Sequence, residues 1–143
     1  MILLDTNVIS EALKPQPHAA VQDWFNAQTY DALYISSVTL AELLFGVEAL
    51  PTGKRKDLLG RAVEGVVHVF HGRILPFDED AARHFAALAI QARARGRGLP
   101  TPDGYIGAIA TSRGYSVATR DRAPFEAAGV PVIDPWKHPR PRK

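Results

Sequence analysis

Short apolar runs alternate with longer stretches of helical periodicity along most of the chain. Five runs have the length and composition of buried strands, at residues 1–4, 32–35, 73–76, 116–118 and 130–133. The intervening stretches predict six helices, at residues 8–13, 19–26, 38–50, 54–69, 79–95 and 102–112. Because strands separated by helices favour βαβ units, we predict an α/β fold with a mostly parallel sheet covered on both faces.

Length and composition are those of one globular domain. The chain has 143 residues, 46% hydrophobic and 22% charged, which is enough to bury a proper core. It contains no cysteine, which excludes disulfides, thiolate metal sites and cysteine nucleophiles. We expect a single domain over residues 1–136 and a basic, flexible tail over residues 137–143.

No targeting segment is predicted. No apolar stretch approaches the roughly 18 residues of a membrane-spanning helix, and Asp5 interrupts the first apolar run at once, unlike the long apolar core of a signal peptide. Together with the absence of cysteine, this predicts a cytoplasmic protein with no membrane partner.

The charge of the chain is unevenly distributed. The formal net charge is +2 and the pI is about 9.1. The tail KHPRPRK holds four of the 17 Lys and Arg residues, so the remaining 13 face 15 acidic residues, a body charge of −2. The basic pI therefore comes from the tail, and total charge is weak evidence for a nucleic-acid partner.

Four acidic residues follow apolar runs or begin helices, namely Asp5, Glu42, Asp103 and Asp121. Loops at the carboxyl ends of parallel strands converge on one crevice, so these residues can share a site. Crowded carboxylates repel one another unless a cation neutralises them, and such oxygen ligands suit Mg²⁺ or Mn²⁺. We therefore predict that all four bind metal and act in catalysis, with one or two ions, and that Thr6 supports them by hydrogen bonding.

Each of these acids also has an ordinary structural explanation. Asp5 and Asp121 suit helix caps or turns, and Asp103 suits the positive end of a helix dipole. Glu42 completes an S/T-x-x-E capping box with Thr39. That helix is apolar on most of its circumference, however, where an unpaired charge is costly. The sequence leaves these alternatives open.

Arginines flank the last two acids. Arg95 and Arg97 precede one of them, and Arg120 and Arg122 bracket the other. An acidic metal centre rimmed by arginines suits a phosphodiester substrate, so these four are predicted phosphate contacts; the alternative is a set of solvated cations at helix ends. Glu11 is a further candidate because its helix follows the first acid, although a surface position is favoured.

Several other classes of protein lack their signatures here. There is no H-E-x-x-H zinc motif, G-x-S-x-G elbow, Walker A loop or G-x-G-x-x-G fingerprint. A receiver-like regulatory domain needs adjacent acids after the first strand, and a phosphatase with Asp5 as nucleophile needs an acid two residues on, but Thr6 and Asn7 follow instead. A DNA-directed nuclease on the same scaffold remains open.

With these motifs, the chain resembles the PIN-domain ribonucleases, specifically the VapC-like toxins of bacterial type II toxin–antitoxin modules in the FitB-like group. The matching segments, in chain order, are LLDTNVISE, SSVTLAELLFGV, PTPDGYIGAIA, VATRD followed by Phe125, and GVPVIDPW. They extend from residue 1 to about 136. The family's acidic residues fall on the four acids named above, with Thr6 in its supporting place, and the arginine-rich tail lies outside the pattern.

This resemblance implies a PIN domain with a five-stranded parallel sheet, assembled as a homodimer. It also implies Mg²⁺-dependent cleavage of RNA, with Mn²⁺ as a possible substitute and a metal-activated water as the attacking group. The expected partner is a cognate VapB-type antitoxin that wraps the toxin and reaches into the acidic pocket. RNA as the substrate, rather than DNA, and the toxin role rest on the resemblance.

Overall fold

The computed structural model describes residues 1–139, and residues 140–143 lie outside the described part. The strands are β1 Ile2–Leu4, β2 Leu33–Ser36, β3 Ile74–Leu75, β4 Ser116–Ala118 and β5 Val132–Ile133. The α-helices are α1 Thr6–Ala12, α2 Ala19–Asn26, α3 Ser37–Glu48, α4 Lys54–Val69, α5 Glu79–Ala94, α6 Thr101–Arg113 and α7 Arg122–Ala127. Two short 3₁₀ helices span Tyr30–Ala32 and Pro135–Lys137.

The strands form one sheet in the order β3-β2-β1-β4-β5, and all four pairings are parallel. This confirms the predicted α/β fold. From β1 the chain builds outward through β2 and β3, then returns to place β4 on the other side of β1. The direction of strand order therefore reverses between β1 and β4, and in such sheets the crevice at the carboxyl ends of these strands is the usual binding site.

The sheet separates two apolar cores, one on each face. Successive strand residues point to opposite faces, so Leu3 and Val117 enter one core while Leu4 and Ala118 enter the other. The first core is completed by residues of α5, α6 and α7, among them Leu88, Ile106 and Phe125. The second is completed by residues of α1 to α4, among them Val8, Trp24, Leu43 and Val63. Burial on both faces explains why the strands read as continuous apolar runs.

The predicted element boundaries hold within about two residues for most elements, and those of α2 and α4 match. Helix α7 was not predicted, because it has only six residues and contains Pro124. Proline is tolerated there because the first helical N–H groups have no partner within the helix. Helix α6 begins at Thr101, one residue before the predicted start, and Pro100 precedes it.

The end of the chain turns into a 3₁₀ helix before the described part stops. Asp134 accepts a hydrogen bond from the backbone N–H of Trp136 at 3.0 Å and so caps this turn. Lys137, the first residue of the predicted tail, belongs to the turn, whereas residues 140–143 lie outside the described residues. The flexibility of the tail stays a prediction. None of the described helices is long and apolar enough to cross a membrane.

Helix α6 packs closely against α5 because it carries a glycine directly after Asp103. A Cβ atom at Gly104 would lie 2.6 Å from Cε2 of Phe85 and 3.2 Å from Cγ of Leu99. One turn further, a Cβ atom at Gly107 would lie 3.4 Å from its nearest neighbours. The small residues of this helix thus allow close packing against its neighbours, and Gly104 is where a side chain would be excluded.

We expect Gly104→Ala to lower the free energy of unfolding by about 1–3 kcal/mol, as overpacking of a filled interior does, even though alanine favours helix. The matched control is Gly46→Ala in α3, where an added Cβ meets nothing within 4 Å. That change should leave stability equal or raise it by up to about 1 kcal/mol. Urea unfolding followed by circular dichroism measures both, and equal effects of the two variants would contradict this packing account.

Candidate active site

The fold brings the four predicted acids to the carboxyl edge of the sheet. Asp5 directly follows β1, and Asp121 follows β4 just before α7. Glu42 lies in the second turn of α3, which begins where β2 ends. Asp103 is in the first turn of α6, which runs back toward β4 and therefore begins at the same edge. The charges of the other three all act on Asp103, which shows that the four share one site.

Asp5 is the most buried member, with only 4% of its surface exposed. Its Oδ1 accepts a hydrogen bond from the Thr6 backbone N–H at 2.8 Å. Its Oδ2 accepts from the Thr119 hydroxyl at 2.8 Å and from the Asn7 amide at 3.4 Å. Burial raises the pKa of Asp5, the hydrogen bonds from Thr119 and Thr6 oppose that rise, and the charges of Glu42 and Asp121 add to it. The residue caps α1, as the structural alternative proposed, and also faces the shared site.

Asp103 shows the repulsion within the site most clearly. Burial, followed by the charges of Asp5, Asp121 and Glu42, raises the pKa of Asp103 to about 6. Within residues 1–139, no lysine, arginine or histidine forms an ion pair with any of these four carboxylates. Their negative charge is therefore not offset by the described part of the chain.

Glu42 is exposed, and its Oε1 accepts a hydrogen bond from the Thr6 hydroxyl at 2.7 Å. The capping-box alternative is wrong, because α3 is capped by Ser36, whose hydroxyl accepts from the backbone N–H of Thr39 at 3.0 Å. The expected cost of burying this carboxylate is also absent. Much of the apolar surface of α3 is open to solvent, including Phe45, which is 74% exposed.

Asp121 occupies the position before α7 but makes no side-chain capping hydrogen bond. The capping alternative for it is therefore wrong. Its backbone N–H donates to the Thr119 hydroxyl at 3.0 Å, which places the residue next to the end of β4. Its exposed carboxylate is left free of such a bond and adds to the charge acting on Asp103.

The acids lie close enough to repel one another but do not yet form a compact ligand set. Within residues 1–139, no three acidic or histidine side chains are grouped so that they could hold a metal ion as they stand. A metal-binding role for Asp5, Glu42, Asp103 and Asp121 thus remains a prediction, supported by their shared location and oxygen donors.

A family model for the PIN domain matches residues 2–130. The chain is a PIN-domain protein. It is 50% identical over 138 residues to the VapC ribonuclease Y4jK of Sinorhizobium fredii, covering 96% of this chain and 99% of the relative. It is 45% identical over 137 residues to toxin FitB of Neisseria gonorrhoeae, covering 95% and 99%. The resemblance drawn from the sequence motifs is confirmed.

Solved structures of related proteins match this PIN domain closely. The crystal structure of FitAcB from Neisseria gonorrhoeae aligns with a TM-score of 0.91 and 45% identity, covering 96% of this chain and 99% of that one. The crystal structure of VapBC-5 from Mycobacterium tuberculosis, a member of the VapBC family of toxin–antitoxin systems, aligns with a TM-score of 0.65 and 32% identity, covering 92% and 95%. The predicted PIN fold is confirmed.

Two of the four candidate arginines make structural contacts in this PIN domain. Arg95 donates to the backbone carbonyls of Glu126 and Ala127 at 3.0 and 3.2 Å, and so satisfies the end of α7. Arg122 forms an ion pair with the Glu126 carboxylate at 2.7 Å. A phosphate would have to compete with these contacts, so phosphate binding by the two arginines stays a prediction.

The other two arginines are placed differently. The Arg120 guanidinium lies over the ring of Trp136, 5.3 Å from its centroid, which is cation–π geometry. Arg97 is exposed in the loop before α6, and its side chain makes no hydrogen bond or ion pair within residues 1–139. Of the four, Arg97 is thus the one whose charge is available without breaking a contact in the described structure.

The sequence favoured a surface position for Glu11, and this was wrong: the residue is buried, with 8% of its surface exposed. Its two carboxylate oxygens accept from the Lys14 ammonium at 3.0 Å and from the His18 backbone N–H at 3.1 Å. The hydrogen bond from Lys14 is the main reason that the pKa of Glu11 lies below its usual value. The residue joins the end of α1 to the start of α2, and its partners are those of a structural group.

Thr119 is a site residue that the sequence did not single out. It is fully buried at the end of β4 and contacts Asp5, Asn7 and the backbone of Asp121. The available signal was a hydroxyl residue where a buried strand ends. That signal becomes specific only once β4 is known to pair with β1.

The raised pKa of Asp103 predicts a pH-dependent cost to stability. A carboxyl with a higher pKa in the folded state stabilises the protein at low pH, and this contribution is lost as pH rises through about 6. In EDTA at pH 8, the Asp103→Asn variant should therefore have a larger free energy of unfolding than the unmodified protein. We expect a gain on the order of 1 kcal/mol, since solvent screens this half-exposed group, shrinking toward zero near pH 4.

Urea unfolding at pH 4.5, 6 and 8 measures this difference. The control is Glu64→Gln, which removes an exposed acid on α4 that is not among the charges acting on Asp103. It should show no comparable rise in stability with pH. A stability difference for Asp103→Asn that does not change between pH 4.5 and 8 would contradict a raised pKa for Asp103, and with it the combined effect of burial and neighbouring charge.

Proposed function

We propose that this PIN domain is a Mg²⁺-dependent endoribonuclease that acts as the toxin of a VapBC-type toxin–antitoxin module. The observation that carries the proposal is the gathering of four carboxylates, without a cationic partner in residues 1–139, at the point where strand order reverses. The names of two relatives, a VapC ribonuclease and toxin FitB, support ribonuclease and toxin roles. RNA is preferred to DNA as the substrate on that basis.

The donors at the site have the chemistry that Mg²⁺ requires, with Mn²⁺ as a substitute. We assign Asp5, Glu42, Asp103 and Asp121 as the residues that would hold the cation, because hard oxygen ligands and excess negative charge favour a hard divalent ion. A bound cation would supply an activated water and offset the charge on the phosphodiester. One ion or two would fit this proposal.

The chain's own contribution is to hold the carboxylates in place. Asp5 is oriented by three hydrogen bonds and by burial. Thr6 links two members of the site, since its backbone N–H binds Asp5 and its hydroxyl binds Glu42. These contacts reduce the reorganisation needed when a cation and a phosphate arrive.

An apolar groove beside the site is our candidate surface for a VapB-type antitoxin. The groove measures about 520 Å³, and its walls come from α1, α3 and α4. It is lined by Leu43 and Leu58, the latter 52% exposed, and it includes Thr6 and Glu42 of the acidic site. An apolar segment lying here would place a neighbouring arginine or lysine next to the carboxylates, where opposite charge favours binding. The VapBC complex that this chain resembles supports such a partner.

We also propose a homodimer, as the family resemblance implies. Large exposed apolar side chains are present on two helices, with Phe45 on α3 at 74% exposure and Ile90 on α5 at 60%. Exposed apolar surface of this kind is typical of interfaces.

RNA cleavage should require Mg²⁺ or Mn²⁺ and disappear in excess EDTA. Loss of a residue that only hydrogen-bonds a metal ligand typically costs a metal site roughly 10- to 100-fold in activity. Asp103→Asn removes a proposed ligand itself, so it should lower kcat/KM by more than that. Glu42→Gln should also lose activity, although its amide oxygen can still accept from Thr6, because the charge is removed. Cleavage of a labelled single-stranded RNA measures all three.

The same assay includes Glu64→Gln, an exposed change on α4, as the variant expected to cleave normally. A matching single-stranded DNA tests the alternative substrate. Full cleavage of RNA in EDTA would exclude the metal mechanism, and cleavage of DNA alone would overturn the proposed substrate.

The antitoxin should inhibit by filling the groove. With the protein encoded immediately upstream as partner, Leu58→Glu should weaken binding at least about 10-fold, since a charge facing an apolar segment is costly to bury. Val69→Glu, also an exposed apolar position on α4 but outside the groove, is the control and should bind normally. Calorimetry measures the affinity for the antitoxin, and light scattering measures the oligomeric state of the protein and of the complex. A complex that cleaves RNA as fast as the free protein would contradict inhibition by occlusion.

A further inference from the structure

We propose that Thr119 is a positioning residue, whose hydroxyl locks Asp5 and the start of α7 into the arrangement that binds the divalent cation. This inference rests on the proposed metal-dependent function. It assigns a role to a residue at the end of β4 that itself carries no charge and is not one of the acids.

The hydrogen-bonding capacity of the Thr119 hydroxyl is completely used. A hydroxyl has one proton to donate and two lone pairs that accept. Its oxygen accepts from the Asn7 amide at 3.1 Å and from the Asp121 backbone N–H at 3.0 Å. Its proton is therefore left for Oδ2 of Asp5, 2.8 Å away. The direction of this bond is determined by the other two.

The surrounding contacts leave little freedom for this arrangement to change. Asn7 also accepts from the backbone N–H of Arg120 at 3.2 Å, so its amide cannot turn away from Thr119 without losing bonds at both ends. The backbone N–H of Thr119 donates to the Ile133 carbonyl of β5 at 2.9 Å. Thr119 is fully buried, and buried polar groups that lose a partner are penalised.

The network joins segments that carry different members of the acidic site. It connects the end of β1, which holds Asp5, to the loop between β4 and α7, which holds Asp121. Without the hydroxyl, Oδ2 of Asp5 loses its shortest donor and the Asp121 backbone loses its anchor to the strand. Both carboxylates would then vary in position, and the cation would bind more weakly.

The test follows the melting temperature of the protein as Mg²⁺ is added, without RNA. The measured quantity is the midpoint, the Mg²⁺ concentration that gives half of the full rise in melting temperature. Thr119→Val, which keeps the shape but removes the hydroxyl, should raise this midpoint about 10-fold or more. Thr119→Ser, which keeps the hydroxyl, should restore it to within about twofold of the unmodified protein. In RNA cleavage at a fixed, limiting Mg²⁺ concentration, Thr119→Val should lower kcat and leave KM for RNA nearly unchanged.

The control variant Val117→Ala, in the neighbouring strand β4, distinguishes a loss of stability alone from a loss of cation binding. Val117 is fully buried in the core formed with α5, α6 and α7 and makes no polar contact with the site. Its truncation should therefore lower stability without changing the Mg²⁺ midpoint. Equal midpoints for Thr119→Val and the unmodified protein, or an equal shift in Val117→Ala, would overturn the inference. If Thr119→Val does not fold, Asn7→Ala decides: a raised midpoint supports the network and an unchanged one overturns it. A protein whose melting temperature does not respond to Mg²⁺ at all would instead overturn the proposed metal function, and this inference with it.

Discussion

Mutual repulsion among the carboxylates at one edge of the sheet is the constraint on which the rest of the site depends. The reversal of strand order between β1 and β4 brings Asp5 and Asp121 to the same crevice, and two helices that begin there add Glu42 and Asp103. Burial, together with the charges of the other three carboxylates, raises the pKa of Asp103 to about 6. Because none of the four has a cationic partner in the described chain, a divalent cation is the simplest way to offset their negative charge.

The two apolar cores make this concentration of charge tolerable. Each central strand has side chains buried on both faces, such as Leu3 and Leu4, so the edge that carries the acids is rigidly supported. The backbone N–H of Asp5 donates to the Ala118 carbonyl of β4 at 2.9 Å, continuing the sheet to the site itself. The two cores thus stabilise the fold, while the carboxylates at the edge of the sheet repel one another. Binding of a ligand can relieve this local cost in free energy.

The sequence predicted the features that local patterns encode. Consecutive apolar residues indicated the strands, regular spacing gave α2 and α4, and acids at the ends of apolar runs marked the site. It predicted that the four acids share a site, but it did not predict most of the individual hydrogen bonds between distant segments. Thr119 and Asp5 are 114 residues apart in the chain and meet only because β4 pairs with β1. The burial of Glu11 and the cap that Arg95 places on α7 depend on packing between elements in the same way.

The most direct test of the central claim is anomalous scattering from crystals of the protein soaked in Mn²⁺. The account predicts an anomalous difference peak in contact with Asp5 and Asp103, close to Glu42 and Asp121, and loss of that peak in Asp103→Asn crystals treated identically. A soak at saturating Mn²⁺ that gives no peak among these four carboxylates, or a peak that persists unchanged in the variant, would contradict it.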